Sequence, residues 1–249
     1  MQTTAFTTTD PFATSERQHL DKEVFEEYGI YDDFLYKQND KMQAMFVSKV
    51  YGILLVQIAS TGVLIALNMF VEPLRLFSTN YSFVPLLLLM FSMLVLVGLF
   101  FFSKKFPMNF ILLTIWTFLN AQAVAMICAL YEAHEVLSAV TITGIIVIAL
   151  TVYVLITKVN LQWMGGLLMV GLFSLVLVSI VTIFFGLLFP VGIWWRFLLS
   201  GFGAFLFSLF ILYDTSRLLH TCKYDDHIPA AIQLYLDILN LFLNILSII

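Results

Sequence analysis

Seven long apolar runs, separated by short polar links, dominate the chain after about residue 43. Each run reaches the length of about 20 residues that an α-helix needs to cross a hydrocarbon core of about 30 Å. The pattern therefore predicts an all-α polytopic membrane domain over 44–249, a bundle of seven transmembrane helices. We place these helices near 46–69, 83–102, 107–130, 136–157, 163–188, 193–216 and 229–249.

The segment before the first apolar run has a different character. Residues 1–43 begin Thr-rich, continue as the acidic and aromatic stretch EVFEEYGIYDDFLY, and contain no apolar run. No cleavable signal peptide is visible, so we expect the first helix to insert uncleaved. The polar, acidic composition favours a disordered tail, whereas the aromatic side chains also fit a segment that binds a partner or directs sorting.

Composition narrows the class of protein further. The chain is 61% hydrophobic and only 11% charged, which is typical of membrane proteins and not of soluble domains. No basic patch is present that could neutralise phosphates, so we expect no nucleic-acid partner. Cys128 lies in an apolar run and Cys222 in a polar link, which supports neither a disulfide framework nor a zinc site. We expect no bound cofactor.

The distribution of positive charge predicts the orientation. If the tail and the links at 103–106, 158–162 and 217–228 share one side of the membrane, that side holds ten of the 12 Lys and Arg residues. Positively charged links face the cytosol, so the N-terminus should be cytosolic. Seven full crossings place the C-terminus in the lumen or outside, whereas a re-entrant last run would return it to the cytosol.

Two acidic residues lie inside the last apolar runs. Asp214 is part of SLFILYDTSRLLH, and Asp237 is part of AAIQLYLDILNLFLNIL. Ionisable residues are costly in a bilayer and usually belong to an ion path, a proton relay or a ligand site. At a rise of about 1.5 Å per residue, Asp214 lies about 8 Å and Asp237 about 12 Å from the adjoining helix ends. Antiparallel helices joined by a short link should bring the two carboxyls together.

The last helix also carries a polar stripe around its aspartate. Gln233, Asp237, Asn240 and Asn244 recur at spacings of 4, 3 and 4 residues, which puts them on one helix face. Such a stripe must face protein or water. Two carboxylates in a low-dielectric site tend to share one proton. We therefore predict a gate that opens as pH rises, or when a divalent cation replaces the proton.

Oxygen ligands alone suit a hard cation such as Ca²⁺, held transiently by Asp214 and Asp237. A plainer interpretation remains open for Asp214. It lies near enough to its helix end to reach lipid headgroups, or to pair with Arg217 or His220.

These C-terminal segments closely resemble the signature of the Bax-inhibitor/Lifeguard family, the transmembrane Bax inhibitor motif proteins. Three further stretches agree with it: FVSKVYGILLVQ, KKFPMNFILL and ALTVYVL. The stretch IYDDFLY is similar to a tail motif of the Golgi anti-apoptotic branch, which includes viral members. The resemblance runs in order from about residue 30 to the end of the chain.

The resemblance implies a seven-helix bundle with the last helix at its centre. It also implies a pH-sensitive calcium leak across an ER or Golgi membrane, which lowers store calcium and restrains apoptosis. The paired carboxylate sensor of the family carries over to Asp214 and Asp237. Partners implied in this way are the lipid bilayer, Ca²⁺, H⁺ and membrane proteins that regulate apoptosis.

The chain departs from the family pattern at three places. Asn120 and Asn160 stand where relatives often carry acids, and the second helix lacks the arginine that locks the sensor in some bacterial relatives. The resemblance therefore implies a displaced pH dependence or a less tightly closed leak, and a viral or divergent branch would fit these losses.

The residues do not match the motifs of intramembrane proteases. An intramembrane aspartyl protease needs Gly-x-Gly-Asp, but Leu234, Tyr235 and Leu236 precede Asp237. A serine intramembrane protease needs a nucleophile motif that is missing here. We therefore expect no enzyme. The main alternative to a channel is a non-conducting anti-apoptotic protein that acts through its cytosolic tail, and a seven-helix receptor is a third reading.

Overall fold

The seven apolar runs fold as helices. The computed structural model of the chain describes residues 30–102, 105, 107–190, 192–220 and 227–249, and these hold eight α-helices and no strand. In chain order they are α1 Ile30–Phe70, α2 Glu72–Asn80, α3 Val84–Phe102, α4 Met108–Cys128, α5 Ala133–Thr157, α6 Gly165–Leu188, α7 Ile193–His220 and α8 His227–Leu246.

Seven of these helices are long and apolar enough to cross a membrane, and each covers one predicted run. The predicted class, an all-α seven-transmembrane protein, is therefore confirmed. The first helix begins at Ile30, well before the expected start near residue 46, so the residues from 30 to 43 that we assigned to the tail are helical. The disorder predicted for residues 1–29 falls outside the described residues.

The short helix α2 lies where the sequence predicted only a link. Pro73 stands in its first turn and Glu72 begins it, and both are favourable residues at a helix N-terminus. Ser78 of α2 is buried and donates a hydrogen bond to Asn68 Oδ1 of α1 at 3.0 Å. The helix is thereby fastened to the end of α1.

The last helix is the most enclosed one. In its most apolar stretch 61% of the residues are buried, against 6% in the stretch that covers α6. It packs against α7, α5 and α4. This confirms the prediction that the last helix is central, and it leaves α6 largely exposed to the bilayer.

Two compact units are distinguished within the chain. Residues 47–249 form one unit, which contains every contact described below, and the residues up to Phe46 form the other. Of the second unit the structure describes only the helical stretch that begins at Ile30.

Candidate functional site

Asp214 on α7 and Asp237 on α8 lie side by side inside the bundle. The two residues are only 8% and 7% exposed, and their carboxyl groups are near enough to share a hydrogen bond. The two helices are antiparallel neighbours connected by the short link 221–226. The structure therefore brings together the two acids that the sequence singled out.

A hydrogen bond between two carboxyls is possible only if one of them carries a proton. An ionised carboxylate only accepts hydrogen bonds, so one of two bonded carboxyls must be protonated. Asp237 Oδ2 is buried and receives no hydrogen bond from any donor in the described part of the chain. The arrangement fits one proton held between Asp214 and Asp237.

A positive charge lies one turn beyond the pair on α7. Arg217 acts electrostatically on Asp214, and its Nη1 donates a hydrogen bond to Gln233 Oε1 of α8 at 3.2 Å. His220, the other predicted pairing residue, is placed differently. Its Nδ1 lies 2.9 Å from the carbonyl oxygen of Ser216, and it donates to that oxygen.

The carboxyl pair lines a cavity of about 920 Å³ among α6, α7 and α8. The predicted polar stripe lines the same cavity through Gln233, Asn240 and Asn244. Both asparagines use their amide nitrogens within α8: Asn240 donates to Leu236 O, and Asn244 donates to Asn240 O, each at 2.8 Å. Their amide oxygens are the acceptors that this stripe offers to water or a cation.

The opposite face of α8 is anchored by Tyr235. It precedes Asp237 by two positions, which is a rotation of about 200° around the helix. Tyr235 is fully buried, its hydroxyl lies 2.8 Å from Thr61 Oγ1 of α1, and its ring meets Trp116 of α4 edge-on at 5.6 Å. This packing fixes the rotation of α8 and hence directs the polar stripe into the cavity.

Glycines allow the close approach of helices around the cavity. A Cβ atom at Gly203 of α7 would collide with Asn244 Oδ1, and one at Gly165 of α6 would lie 2.7 Å from the Tyr213 hydroxyl. Small residues let membrane helices approach closely, and the sequence has glycine at both positions. It did not indicate that one of them contacts the polar stripe.

A second contact that the sequence did not indicate holds the link between α5 and α6. Ser216 is fully buried; its hydroxyl donates to Val159 O at 2.7 Å and accepts from Leu161 N at 3.0 Å. This clamp fixes the C-terminal part of α7, only two residues from Asp214. No spacing in the sequence points to it.

The donor set suits weak and transient binding of a cation. Among the described residues no group of three His, Cys, Asp or Glu side chains could hold a metal ion. Ca²⁺ takes about six to eight oxygen ligands. Asp214, Asp237 and the amide oxygens of the stripe supply part of this number, so an ion here would keep much of its water.

Similarity to known proteins covers the whole membrane domain. A family model described as "Inhibitor of apoptosis-promoting Bax1" matches residues 43–249. The chain belongs to the Bax-inhibitor/Lifeguard family.

Individual relatives of the family match along nearly their full lengths. Protein LIFEGUARD 1 of Arabidopsis thaliana is 32% identical over 219 residues, which cover 86% of this chain and 92% of that protein. The Golgi anti-apoptotic protein of Vaccinia virus (strain Lister) is 33% identical over 230 residues, which cover 89% of this chain and 93% of that protein. Protein lifeguard 4 of Mus musculus is 32% identical over 224 residues, which cover 88% of this chain and 92% of that protein.

The two asparagines at which the chain departs from the family pattern make local contacts. Asn120 of α4 is buried, donates to Trp116 O at 2.8 Å and accepts from Ser92 Oγ of α3 at 3.4 Å. Asn160 Oδ1 accepts from Gln162 N at 3.1 Å. Neither is among the described residues that line the cavity. Among the described residues, the cation whose charge acts on Asp214 is Arg217 of α7, and no arginine stands in α3, the second membrane crossing.

Proposed function

We propose that the protein is a pH-sensitive calcium leak channel of an intracellular membrane, gated by Asp214 and Asp237. The observation that carries the proposal is the pair of adjacent, buried carboxyls in the wall of a cavity among α6, α7 and α8. Ionisable residues are costly in membrane helices and typically serve ion or proton pathways.

The shared proton is the closing element in this proposal. While the pair holds it, the two carboxyls attract one another and keep α7 and α8 in contact beside the cavity. As pH rises the proton leaves, and two adjacent negative charges repel at low dielectric. The pair then separates, or it accepts a divalent cation in place of the proton.

The polar stripe is the proposed route for the ion. Asn240 and Asn244 follow Asp237 along α8, and Ser247 near the end of the chain lies 3.1 Å from Ser200 of α7 through their hydroxyls. These oxygens offer successive weak ligands to a partly hydrated ion. Weak, multiple sites allow an ion to enter and to leave, as conduction requires.

The proposal extends to the cell. A leak of this kind lowers store calcium and so restrains apoptosis, in keeping with the family description and with the viral relative's name, Golgi anti-apoptotic protein. We place the protein in ER or Golgi membranes, with its N-terminus in the cytosol because the Lys-rich links should face that side. Transport requires no catalytic residue, so no enzymatic activity is proposed.

The test is calcium flux through the purified full-length chain in calcium-loaded liposomes, recorded as a function of external pH. We expect the leak to increase from acidic to alkaline pH. Asp237→Asn and Asp214→Asn should each abolish most of this pH dependence, because an amide cannot lose the shared proton.

Glu72→Gln is the matched control, since it removes an exposed acid at the start of α2 and away from the cavity. It should leave the profile unchanged. A leak that is absent in the wild type, or equal in all four proteins, contradicts the channel proposal.

The alternative function, a non-conducting protein that acts through its tail, is tested in cells. Deletion of residues 1–43 should leave store calcium low and protection from apoptosis intact if the leak is responsible. Loss of protection while store calcium stays low would instead favour the interaction protein and its apoptosis-regulating partners.

A further inference from the structure

The cavity that contains the carboxyl pair is polar at both ends and apolar between them. Near the pair its wall carries Asp214, Arg217 and Gln233, and towards the start of α7 it carries Ser200 and Asn244. Asp214 and Ser200 are 14 positions apart on α7, a distance of about 21 Å at the helical rise. An ion that crosses the membrane through this cavity has to cover that distance.

Two phenylalanines of α7 occupy the stretch between the polar ends. Phe207 and Phe210 both line the cavity, yet they are only 7% and 9% exposed, and the centroids of their rings lie 6.0 Å apart. Both stand between Ser200 and Asp214 along the helix. The path from the carboxyl pair to the other polar end therefore passes both rings.

The neighbouring helix α6 presents apolar side chains at the same level. A Cβ atom at Gly171 of α6 would lie 2.8 Å from Leu206 Cδ1 of α7, so the two helices meet one residue before Phe207. Met169 and Leu172 flank Gly171 and line the cavity. The cavity wall that α6 contributes beside the phenylalanines is therefore apolar.

The last helix contributes one polar side chain to this stretch. Between Asp237 and Asn244, the described polar residue of α8 that lines the cavity is Asn240, and its amide nitrogen already donates to Leu236 O at 2.8 Å. Its amide oxygen is the polar group that it can offer. A water molecule inside a protein needs about two to four polar partners, and cavities with an apolar lining stay empty. The stretch is therefore suited to exclude water.

We propose that Phe207 and Phe210 form an apolar barrier, a second gate that keeps the middle of the cavity free of water while α7 and α8 are in contact. Apolar constrictions close a path by excluding water, even where the space is not filled by atoms. The inference rests on the proposed leak function and adds a step to it. Loss of the shared proton lets an ion pass only once the separation of α7 from α8 admits water past the two rings.

The experiment measures access of water separately from transport. Cys128→Ala and Cys222→Ser remove both native thiols, and Asn240→Cys or Ser200→Cys then introduces a single thiol into the full chain. In detergent at mildly acidic pH, the rate of modification by a permanently charged methanethiosulfonate reagent reports whether water reaches each level. The cysteine at position 200, at the polar end, should react several-fold faster than the one at position 240.

Substitutions at the two phenylalanines test the barrier at constant volume, because leucine and asparagine have nearly the same size and differ in polarity. Phe210→Asn should raise the modification rate of the cysteine at position 240 roughly fivefold, the gain that one additional net hydrogen bond gives to a water there. Phe210→Leu keeps the stretch apolar and should leave the rate near its original value. Phe207→Asn and Phe207→Leu should differ in the same way.

The same substitutions, made in the otherwise unchanged chain, are compared for calcium leak in liposomes at acidic pH, where the wild type leaks least. The asparagine variants should leak several-fold more than the wild type, and the leucine variants should not. Phe205→Asn is the matched control on the same helix. Phe205 is 63% exposed, and hence faces the bilayer, and it is not among the described residues that line the cavity. This control should change neither the modification rate nor the leak.

The barrier is overturned if the cysteines at positions 200 and 240 react equally fast, a comparison that needs no change at either phenylalanine. It is overturned equally if asparagine and leucine have the same effect at both positions, or if Phe205→Asn acts like Phe210→Asn. A wild type without any calcium leak contradicts the proposed function alone, because the modification rates still decide whether the barrier exists.

Discussion

Arg217 Nη1 on α7 donates a hydrogen bond to Gln233 Oε1 on α8 at 3.2 Å, and this contact lies one helical turn from the aspartate pair on both helices. Both residues line the cavity that contains the pair. Arg217 thus combines two effects: its hydrogen bond ties α7 to α8, and its charge acts on Asp214.

The first prediction separates these two effects in the liposome assay. A nearby cation favours loss of the shared proton, so Arg217→Gln should move the pH dependence of the leak to higher pH. Arg217→Lys keeps the charge and should keep the midpoint. Gln233→Leu removes the hydrogen bond but not the charge, so it should raise the leak at every pH without moving the midpoint. If Arg217→Gln leaves the midpoint in place, the charge has no part in gating.

The second prediction concerns the contact between Gly203 and Asn244. Gly203→Ala should destabilise the protein by about 1–3 kcal/mol, because the new methyl group forces the Asn244 amide out of its position. The measurement is the unfolding temperature in detergent, read from the fraction of protein that still elutes as a folded peak in size-exclusion chromatography after heating.

Gly201→Ala on the same helix is the matched control, since a Cβ atom there meets nothing within 4 Å. Its unfolding temperature should equal or slightly exceed that of the wild type. Equal losses in the two variants would mean that the close approach of α7 and α8 is not what Gly203 provides.

The third prediction concerns the clamp made by Ser216. Ser216→Ala leaves Val159 O and Leu161 N without their buried partner, and should cost about 1–3 kcal/mol of stability. Ser208→Ala removes a hydroxyl that donates to Ala204 O of its own helix and so joins no two segments among the described residues; it should cost much less. Comparison of the two unfolding temperatures checks this, and similar values would show that the clamp is weak.

The fourth prediction concerns the amide pair that joins α1 to α4. Asn68 and Gln122 exchange two hydrogen bonds, at 3.3 and 3.2 Å. A double-mutant cycle with Asn68→Ala and Gln122→Ala should give a coupling energy between about 0.6 and about 1.7 kcal/mol, the average and the maximum for hydrogen bonds between membrane helices. Additive losses in the double variant would contradict a direct interaction.

Much of the fold follows from the sequence because bilayer thickness imposes a length on each apolar run. The seven helices lie where hydropathy places them. The helix α2 escaped prediction because nine residues are too few for a membrane span. The start of α1 escaped it because polar residues such as Asp32 and Asp33 carry no apolar signal, although their backbone is helical.

The candidate site is predictable only in part, because the sequence reveals buried charges but not how each helix is rotated. Buried charge is rare enough that Asp214 and Asp237 stand out, and a short link between antiparallel helices brings them together. Contacts such as that of Gly203 with Asn244, or the clamp of Ser216 on Val159, depend on how far each helix is rotated about its axis. Tyr235 helps to fix that rotation, through partners on α1 and α4 that are remote in sequence.

The central claim, that one proton is shared by the two carboxyls, is tested most directly by infrared difference spectroscopy of the reconstituted full chain. A protonated carboxyl band should be present at acidic pH. It should disappear as pH rises or when Ca²⁺ is added, and it should be altered in both Asp237→Asn and Asp214→Asn. If both aspartates are already ionised over the range in which the leak changes, with no carboxyl band lost, the account is contradicted.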